Sequence, residues 1–253
     1  MRFAALGSGS RGNALVVEAG ATRILLDCGF GPREVTRRLA RLGLVPEDIQ
    51  AVAVTHEHGD HVGGVAACVR RFGWAVYATH GTASASLVDE KNVRVHAIQG
   101  DCRFAVGDLE LHPFPVPHDA REPVQYVFSV GDLRLGVLTD VGVATPHMIA
   151  CLKGCDALVL ECNHDAAMLA GGAYPQRLKQ RIAGRYGHLE NRAAAELLTE
   201  LEPLRLKHLV AAHLSEENNR PELARAALAE AIGCTADWIG VADQETGFDW
   251  RFL

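Results

Sequence analysis

One six-residue stretch, HEHGDH at residues 56–61, constrains this chain more than any other segment. It follows the apolar run at residues 51–55, which is typical of a buried strand, so the polar cluster begins where a strand ends. The stretch holds three imidazoles and two carboxylates, more metal-binding capacity than a solvated loop needs. The alternative is a set of surface histidines beside a helix that Asp60 caps, but a cap explains one residue only.

The spacing inside this stretch predicts two metal ions rather than one. In an extended segment, residues two apart point to the same side, so His56 and His58 can converge on one ion. Gly59 permits a sharp turn, after which Asp60 and His61 can face a second ion beside the first. A single zinc site needs only three protein ligands and a water. A dinuclear centre is therefore the first hypothesis.

The composition indicates a globular, cytoplasmic protein. At 253 residues, 48% of them apolar, the chain can form one domain over residues 1–253 with an ample core. We expect no membrane partner, because no apolar run is long enough to cross a bilayer and the first residues do not resemble a signal peptide. The seven cysteines lie mostly among apolar residues, which favours reduced thiols. Cys151 and Cys155 have helical spacing, but no second cysteine pair supports a zinc knuckle.

Strand-like and helix-like segments alternate along the chain without a linker or a repeat. Strands are predicted at residues 3–6, 14–19, 23–27, 51–55, 75–78, 93–97, 103–106, 109–114, 126–130, 133–138, 157–161 and 206–211, with a final pair before residue 253. Helices are predicted at residues 33–42, 65–72, 82–89, 146–152, 175–184, 191–201 and 221–231. This arrangement indicates an α/β (α+β) fold in which two sheets form a sandwich with outer helices.

Three further candidate metal ligands stand where predicted strands stop, namely His118, Asp140 and His213. Rigid strand ends place ligands more accurately than loops do. Each residue alone is better explained as an ordinary surface, core or turn residue. Their shared position, in a chain that also contains residues 56–61, makes them candidates for the same centre.

Taken together, these residues resemble the ligand set of the metallo-β-lactamase superfamily. The resemblance implies a four-layer αββα sandwich with a dinuclear site at one edge of the two sheets. The ligands that it implies are His56, His58 and His118 for one ion, Asp60, His61 and His213 for the other, and Asp140 between them.

Five further stretches resemble the YycJ/WalJ-type exonuclease branch of that superfamily. They are GSGSRGN at residues 7–13, PHDA at 117–120, LECNHD at 160–165, GHLEN at 187–191 and HLSEENNRP at 213–221. The similarity thus extends over nearly the whole chain, and the branch implies 5′ exonuclease action on DNA. The chain departs from the pattern at Glu190, where a small serine-like residue is expected.

The predicted reaction is phosphodiester hydrolysis. Two divalent ions about 3.5–4 Å apart can generate a hydroxide near neutral pH and stabilise the attacking and leaving oxygens. Asp60 can orient or deprotonate the water. His188 is the candidate general acid, with Glu161 as its orienting partner, and the pair resembles the acidic residue and Gly-His motif of the ribonuclease Z group. The alternative for His188 is a cap on the helix near Asn191.

Other polar residues are candidates for substrate contacts. Ser8, Ser10 and Asn13 lie in a loop that either contacts a phosphate or only connects a hairpin, and Asn163 and His164 follow a predicted strand end. A basic segment either tracks a nucleic-acid backbone or forms a solvated helix face; its members are Arg177, Lys179, Arg181, Arg185, His188 and Arg192. Five histidines are predicted to be structural: His80, His96, His112, His147 and His208.

The sequence therefore predicts a dinuclear metal-dependent phosphodiesterase, a 5′ exonuclease whose partner is nucleic acid, with DNA favoured over RNA. A net charge of −6 argues against binding through bulk positive charge, although bound ions would neutralise some carboxylates. The expected cofactors are two divalent ions per chain, zinc or manganese, with iron as a further candidate. The alternatives are a hydrolase of the same fold acting on small or cyclic phosphodiesters or on thioesters, and a metal-binding regulatory protein without turnover. The oligomeric state stays open.

Overall fold

The computed structural model describes residues 1–87 and 93–253, and these residues form two seven-stranded sheets. The strands of the first sheet are β1 Arg2–Gly7, β2 Ala14–Ala19, β3 Thr22–Leu26, β4 Ala51–Ala53, β5 Ala75–Thr79, β6 Val95–Ile98 and β14 Phe248–Phe252. The strands of the second are β7 Phe104–Val106, β8 Leu109–Pro115, β9 Val124–Val130, β10 Leu133–Leu138, β11 Ala157–Glu161, β12 His208–Ala212 and β13 Gly240–Val241. The strand orders are β14-β1-β2-β3-β4-β5-β6 and β13-β12-β11-β10-β9-β8-β7.

Nine α-helices lie in the described part of the chain. They are α1 Pro32–Arg41, α2 Gly59–Val62, α3 Val65–Phe72, α4 His80–Ser86, α5 Pro146–Leu152, α6 Ala166–Gly171, α7 Gln176–Ile182, α8 Asn191–Glu200 and α9 Pro221–Ile232. Within the same residues, none of these helices combines the length and the apolar character that crossing a bilayer requires.

The two sheets pack face to face, and helices cover both outer faces. Phe3 and Tyr126 are fully buried in the core between the sheets. Leu39 of α1 packs in a second apolar cluster against the outer face of the first sheet. Leu197 of α8 belongs to a third cluster on the outer face of the second sheet. The layer order is therefore αββα, and the predicted fold class is confirmed.

Parallel pairing brings several strand ends to one edge of the sandwich. Strands β10, β11 and β12 are parallel neighbours, with Leu138 opposite Leu160 and Glu161 opposite Ala212. Strands β3 and β4 are parallel in the first sheet, with Leu26 opposite Ala53. Because the carboxyl ends of parallel strands meet at the same edge, the residues that follow these strands are brought together.

Most predicted segments are observed, and the differences lie at their ends. The strand predicted at residues 51–55 ends at Ala53, because the amide and hydroxyl of Thr55 donate hydrogen bonds to the Asp27 carboxylate instead of continuing a ladder. The helix predicted at 82–89 is observed as α4, and residues 88 and 89 lie outside the described residues. Helices α2 and α6 were not predicted, because each is too short to show helical periodicity.

Candidate metal centre

One half of the candidate centre comes from the segment between β4 and α3. The rings of His56 and His61 lie with their centroids 4.2 Å apart. One nitrogen of each ring contacts a neighbouring side chain that fixes the ring. His56 Nδ1 lies 2.9 Å from Thr55 Oγ1, and His61 Nδ1 lies 2.8 Å from Asp27 Oδ2. The Nε2 atoms of both rings are therefore left to face the cluster.

Asp27 supports this half and was not identified from the sequence. Its carboxylate accepts hydrogen bonds from the Thr55 amide and hydroxyl, both at 2.8 Å, as well as contacting His61. The side chain is buried, and the backbone is left-handed with φ of 61°. A carboxylate that orients a ligating histidine is a common second layer of metal sites. The signal in the sequence was an acidic residue ending an otherwise apolar strand.

The other half of the centre comes from the second sheet. Asp140 follows β10 and His213 follows β12, and both have left-handed backbones with φ of 53°. This conformation is uncommon for residues with a side chain and tends to occur at functional sites. His118 lies between β8 and β9, and its Nδ1 is 3.1 Å from the Gly187 carbonyl oxygen. Ligand-bearing residues therefore leave the sheet at sharply turned strand ends.

The two halves meet at short distances. His118 Nε2 lies 3.1 Å from His58 Nδ1. Asp60 Oδ2 lies 3.3 Å from His213 Nε2. Asp140 spans the two halves, with Oδ2 2.9 Å from His61 Nε2 and Oδ1 3.6 Å from His213 Nε2. The possible three-ligand groups that result include His56, His58 and His118; Asp60, His61 and His213; and His56, His61 and Asp140.

Two buried atoms in this cluster are suited to binding a cation. His56 Nε2 and Asp140 Oδ2 have no hydrogen-bond partner among the described residues, although both are shielded from solvent. Asp140 Oδ2 lies close to His61 Nε2 without hydrogen-bond geometry. Buried polar atoms without partners are costly, and imidazole nitrogens and carboxylate oxygens are ligands that zinc, manganese and iron accept. The residues present therefore fit a divalent metal centre.

The electrostatics of the cluster also favour bound cations. Burial alone would lower the pKa of His213, but Asp140, Asp60 and Glu161 outweigh it and raise the pKa to about 10. In the same way, Asp140 and Asp27 raise the pKa of His61 against the effect of burial. Protonated histidines thus balance the buried carboxylates, a role that metal ions take over when they displace those protons.

The neutral ligands lie on the other side of the cluster. Burial, together with neighbouring imidazoles, lowers the pKa of His56 well below its usual value. Burial also lowers the pKa of His118. Both rings are therefore held in the neutral form that binds a metal.

Glu161 and His188 form a pair beside the centre. His188 Nδ1 lies 2.8 Å from Glu161 Oε1 and 3.5 Å from Asp140 Oδ1. Glu161 is fully buried, and its Oε2 accepts hydrogen bonds from the amides of Val141 and Leu189 at 2.8 and 3.3 Å. Burial alone would lower the pKa of His188, but Glu161 outweighs it and the pKa is raised. The residue at the cap position of α8 is Glu190, so His188 does not cap that helix.

The five residues predicted to contact substrate have different surroundings. Ser8 Oγ accepts a hydrogen bond from the His213 amide at 2.9 Å, Asn163 Nδ2 donates to the His213 carbonyl at 3.0 Å, and Asn13 Nδ2 lies 3.1 Å from His61 Nε2. The contacts of Ser8 and Asn163 hold the backbone of His213, whereas Asn13 contacts the nitrogen of His61 that faces the cluster. Ser10 is exposed, whereas His164 is buried and burial lowers its pKa to about 4.

Asp119 links the centre to the basic segment and was not identified from the sequence. Its Oδ1 lies 3.7 Å from His58 Nε2 and 3.6 Å from His118 Nε2. Its Oδ2 accepts a hydrogen bond from Arg181 Nε at 2.6 Å. Lys179 instead donates to the Ala170 carbonyl. Arg181 thus contacts Asp119, the residue that follows the candidate ligand His118.

Comparison with known proteins agrees with the fold. A family described as "Beta-lactamase superfamily domain" matches residues 22–213. Exodeoxyribonuclease WalJ of Streptococcus pneumoniae is 34% identical over 95% of this chain and 91% of its own length. Exodeoxyribonuclease YycJ of Bacillus anthracis is 34% identical over 92% of this chain and 89% of its own. The metallo-β-lactamase fold protein YhfI of Bacillus subtilis superposes with a TM-score of 0.76 at 15% identity, covering 99% of each chain.

Proposed function

This chain belongs to the metallo-β-lactamase superfamily, in the branch of the WalJ- and YycJ-type proteins, and on that premise we propose that it is a metal-dependent 5′ exonuclease acting on DNA. The observation that carries the proposal is the Glu161–His188 pair, 2.8 Å apart and beside Asp140. A metal-binding module without turnover has no use for a buried carboxylate that orients a protonated histidine. Both relatives named above are called exodeoxyribonucleases, which supports DNA as the substrate.

We propose that the centre holds two divalent ions, zinc or manganese, with iron as a further candidate. The residues that would hold them are His56, His58 and His118 for one ion, Asp60, His61 and His213 for the other, and Asp140 between them. Bound there, the ions supply a hydroxide at neutral pH and stabilise charge on the phosphate oxygens.

Asp60 positions the attacking water in this proposal. Burial alone would raise the pKa of Asp60, but the hydrogen bonds to His213 and His61 hold it well below its usual value. The side chain therefore stays a carboxylate through the neutral pH range and accepts a hydrogen bond from the water. That hydrogen bond directs the water oxygen at the phosphorus.

His188 supplies the proton for the leaving oxygen. The contact with Glu161 fixes Nδ1 and raises the pKa of His188, which favours the doubly protonated ring that a general acid requires. Nε2 then donates its proton to the alkoxide as the phosphorus–oxygen bond breaks. The imidazole returns to the protonated form by taking up a proton from solvent.

We assign the substrate side of the site to the residues predicted from the sequence, and expect the reaction to take place in the cytoplasm. Ser10 is the exposed candidate for a phosphate contact; the others are Ser8, Asn13, Asn163 and His164. Arg181 on α7, with the exposed Arg177 and Arg185, can follow the phosphate backbone beyond the scissile bond.

Labelled nucleic acids test this proposal. Metal-reconstituted protein is incubated with 5′- and 3′-labelled DNA and RNA, in single-stranded and duplex form, and the products are separated by size over time. We expect mononucleotides to be released first from the 5′ end of DNA. The Asp140→Asn variant, purified in parallel, should release about a thousandfold less and so exclude a contaminating nuclease. Cleavage of only a small or cyclic phosphodiester, or of a thioester, would contradict the proposal.

A further inference from the structure

A second group of metal-ligating side chains shares no residue with the candidate metal centre. Asp101 lies in the loop that leads from β6 to β7, and His112 lies on β8. His147 and Cys151 lie one helical turn apart on α5. Both histidines are predicted from the sequence to be structural, because the members of the group are spread over the chain and only the fold brings them together.

The ligand atoms of this group lie close to one another. Candidate ligand atoms of Asp101, His112 and Cys151 all lie within 4.8 Å of one another. His147 Nε2 lies 2.6 Å from Asp101 Oδ1 and 3.7 Å from Cys151 Sγ. His112 Nε2 lies 4.0 Å from the same Asp101 oxygen. Ligand atoms around a tetrahedral zinc ion are about 3.3–3.6 Å apart, so small side-chain movements suffice to surround a cation.

The elements that carry these side chains are anchored. Cys151 is buried in the apolar cluster that α5 forms against the second sheet, and His112 is largely covered. Asp101 has a left-handed backbone with φ of 64°, and its amide donates to the Pro113 carbonyl at 2.7 Å, which ties the loop to β8. His147 is half exposed and so is free to turn toward a cation.

The surrounding charges are compatible with a cation. Burial and the nearby Asp101 raise the pKa of Cys151, so its thiol is protonated until a metal displaces the proton. Arg103 lies nearby and is paired with Glu110 at 2.9 Å. Arg134 donates to the carbonyl oxygens of Cys151 and Lys153 at the end of α5. The partners shown for Arg103 and Arg134 are thus atoms other than the four side-chain ligand atoms.

We propose that Asp101, His112, His147 and Cys151 form a structural zinc site that fastens α5 to β8 and to the loop after β6. One thiolate, two imidazoles and one carboxylate form a four-ligand set of the kind that zinc prefers. The site holds α5 in place, and that helix begins at Pro146, shortly after Asp140. The bound ion therefore stabilises the strand end that carries a ligand of the candidate metal centre, without taking part in the reaction.

Cobalt substitution of the whole protein tests this site separately from the hydrolytic one. The candidate metal centre contains no thiol among its proposed ligands, so a thiolate-to-cobalt charge-transfer band in the near ultraviolet reports on cobalt bound outside that centre. We expect the band to correspond to one thiolate-bound Co²⁺ per chain and to disappear in Cys151→Ser. The matched control is Cys102→Ser, which removes the exposed neighbour of Asp101 and should leave the band unchanged.

A second variant covers the case in which Cys151→Ser does not fold. His147→Ala alters a half-exposed residue and should weaken cobalt binding at this site by about tenfold or more, as disturbed zinc sites do. A chelator should also lower the melting temperature of wild-type protein more than that of His147→Ala. Absence of the band in folded wild-type protein, or its loss in Cys102→Ser alone, overturns the proposal. Neither result bears on exonuclease activity.

Discussion

The two halves of the candidate metal centre are built in different ways. The first half comes from residues 56–61, which lie next to one another in the chain and are held from below by Asp27 and Thr55. The second half comes from separate elements of the other sheet and spans residues 118–213. The first half is thus defined by local geometry, whereas the second depends on the register of three parallel strands.

The difference shows where each half is vulnerable. In the first half, a substitution of Asp27 or Thr55 should alter the metal affinity of the histidines. It should leave the reacting groups in place. In the second half, three adjacent strands end at or just before Asp140, Glu161 and His213. The proposed metal ligands and the partner of the proposed general acid therefore depend on the same strands. Asp140 contacts ligands of both halves, which makes it the residue that couples them.

The largest effect is expected where the halves join. Asp140→Asn keeps the size of the side chain and tolerates the left-handed backbone, but removes the charge that faces His61 and His213. The value of kcat/KM on DNA should fall by about a thousandfold, the upper range for loss of an electrostatic group. Asp132→Ala, an exposed carboxylate in the turn before β10, is the control and should keep full activity. Retained activity in Asp140→Asn would show that the halves work independently.

Loss of the general acid should have the next largest effect, and it should depend on the substrate. His188→Ala should lower kcat on DNA by about a hundredfold or more. A substrate with a good leaving group, such as a nitrophenyl phosphodiester, needs no proton and should lose far less. Equal losses on the two substrates would assign His188 to metal binding or folding instead.

A substitution of Asp27, which supports the first half, should act by weakening metal binding. Asp27→Asn tolerates φ of 61° but weakens the hold on His61 Nδ1. Metal affinity should fall by about tenfold to a hundredfold, as it does when second-layer carboxylates are altered. Activity at saturating metal should return close to that of the wild type, which a titration of activity against metal concentration measures. If excess metal does not restore activity, Asp27 does more than determine the metal affinity of the first half, and this prediction is contradicted.

Neutralising the partner of His188 should shift the pH profile. In Glu161→Gln the imidazolium loses its carboxylate, so its raised pKa should fall. The general acid must be protonated, and activity is lost as pH rises through that pKa; the alkaline limb of kcat against pH should therefore move to lower pH. A loss of activity of about tenfold, smaller than in His188→Ala, is expected at neutral pH. An alkaline limb that stays in place would contradict the assigned pairing.

The smallest effect is expected at the contact between the basic segment and the centre. Arg181→Ala removes one proposed phosphate contact and the hydrogen bond to Asp119 Oδ2. The apparent affinity for DNA should fall a few-fold, and the slope of log K against log salt should decrease by roughly 0.7–0.9. Arg37→Ala, the same charge change on α1, is the control and should leave both unchanged. An unaltered slope of log K against log salt in Arg181→Ala would show that Arg181 does not contact the DNA backbone.

The sequence predicts the locally encoded half of the site far better than its surroundings. The spacing within residues 56–61 is itself typical of a metal-binding pattern, and the distant candidate ligands can be proposed because each follows a recognisable strand. Asp27 and Asp119 were missed because their importance lies in contacts across the fold. The association of His112 with His147 depends on how α5 packs against β8, which no spacing within the sequence shows.

Anomalous diffraction from crystals of the zinc- or manganese-loaded protein tests the central claim most directly. At the candidate centre we expect two peaks about 3.5–4 Å apart, one beside His56, His58 and His118 and the other beside Asp60, His61 and His213, with Asp140 contacting both ions. A single peak at full metal occupancy, or two peaks that do not share Asp140, would contradict the account of one centre built from two halves.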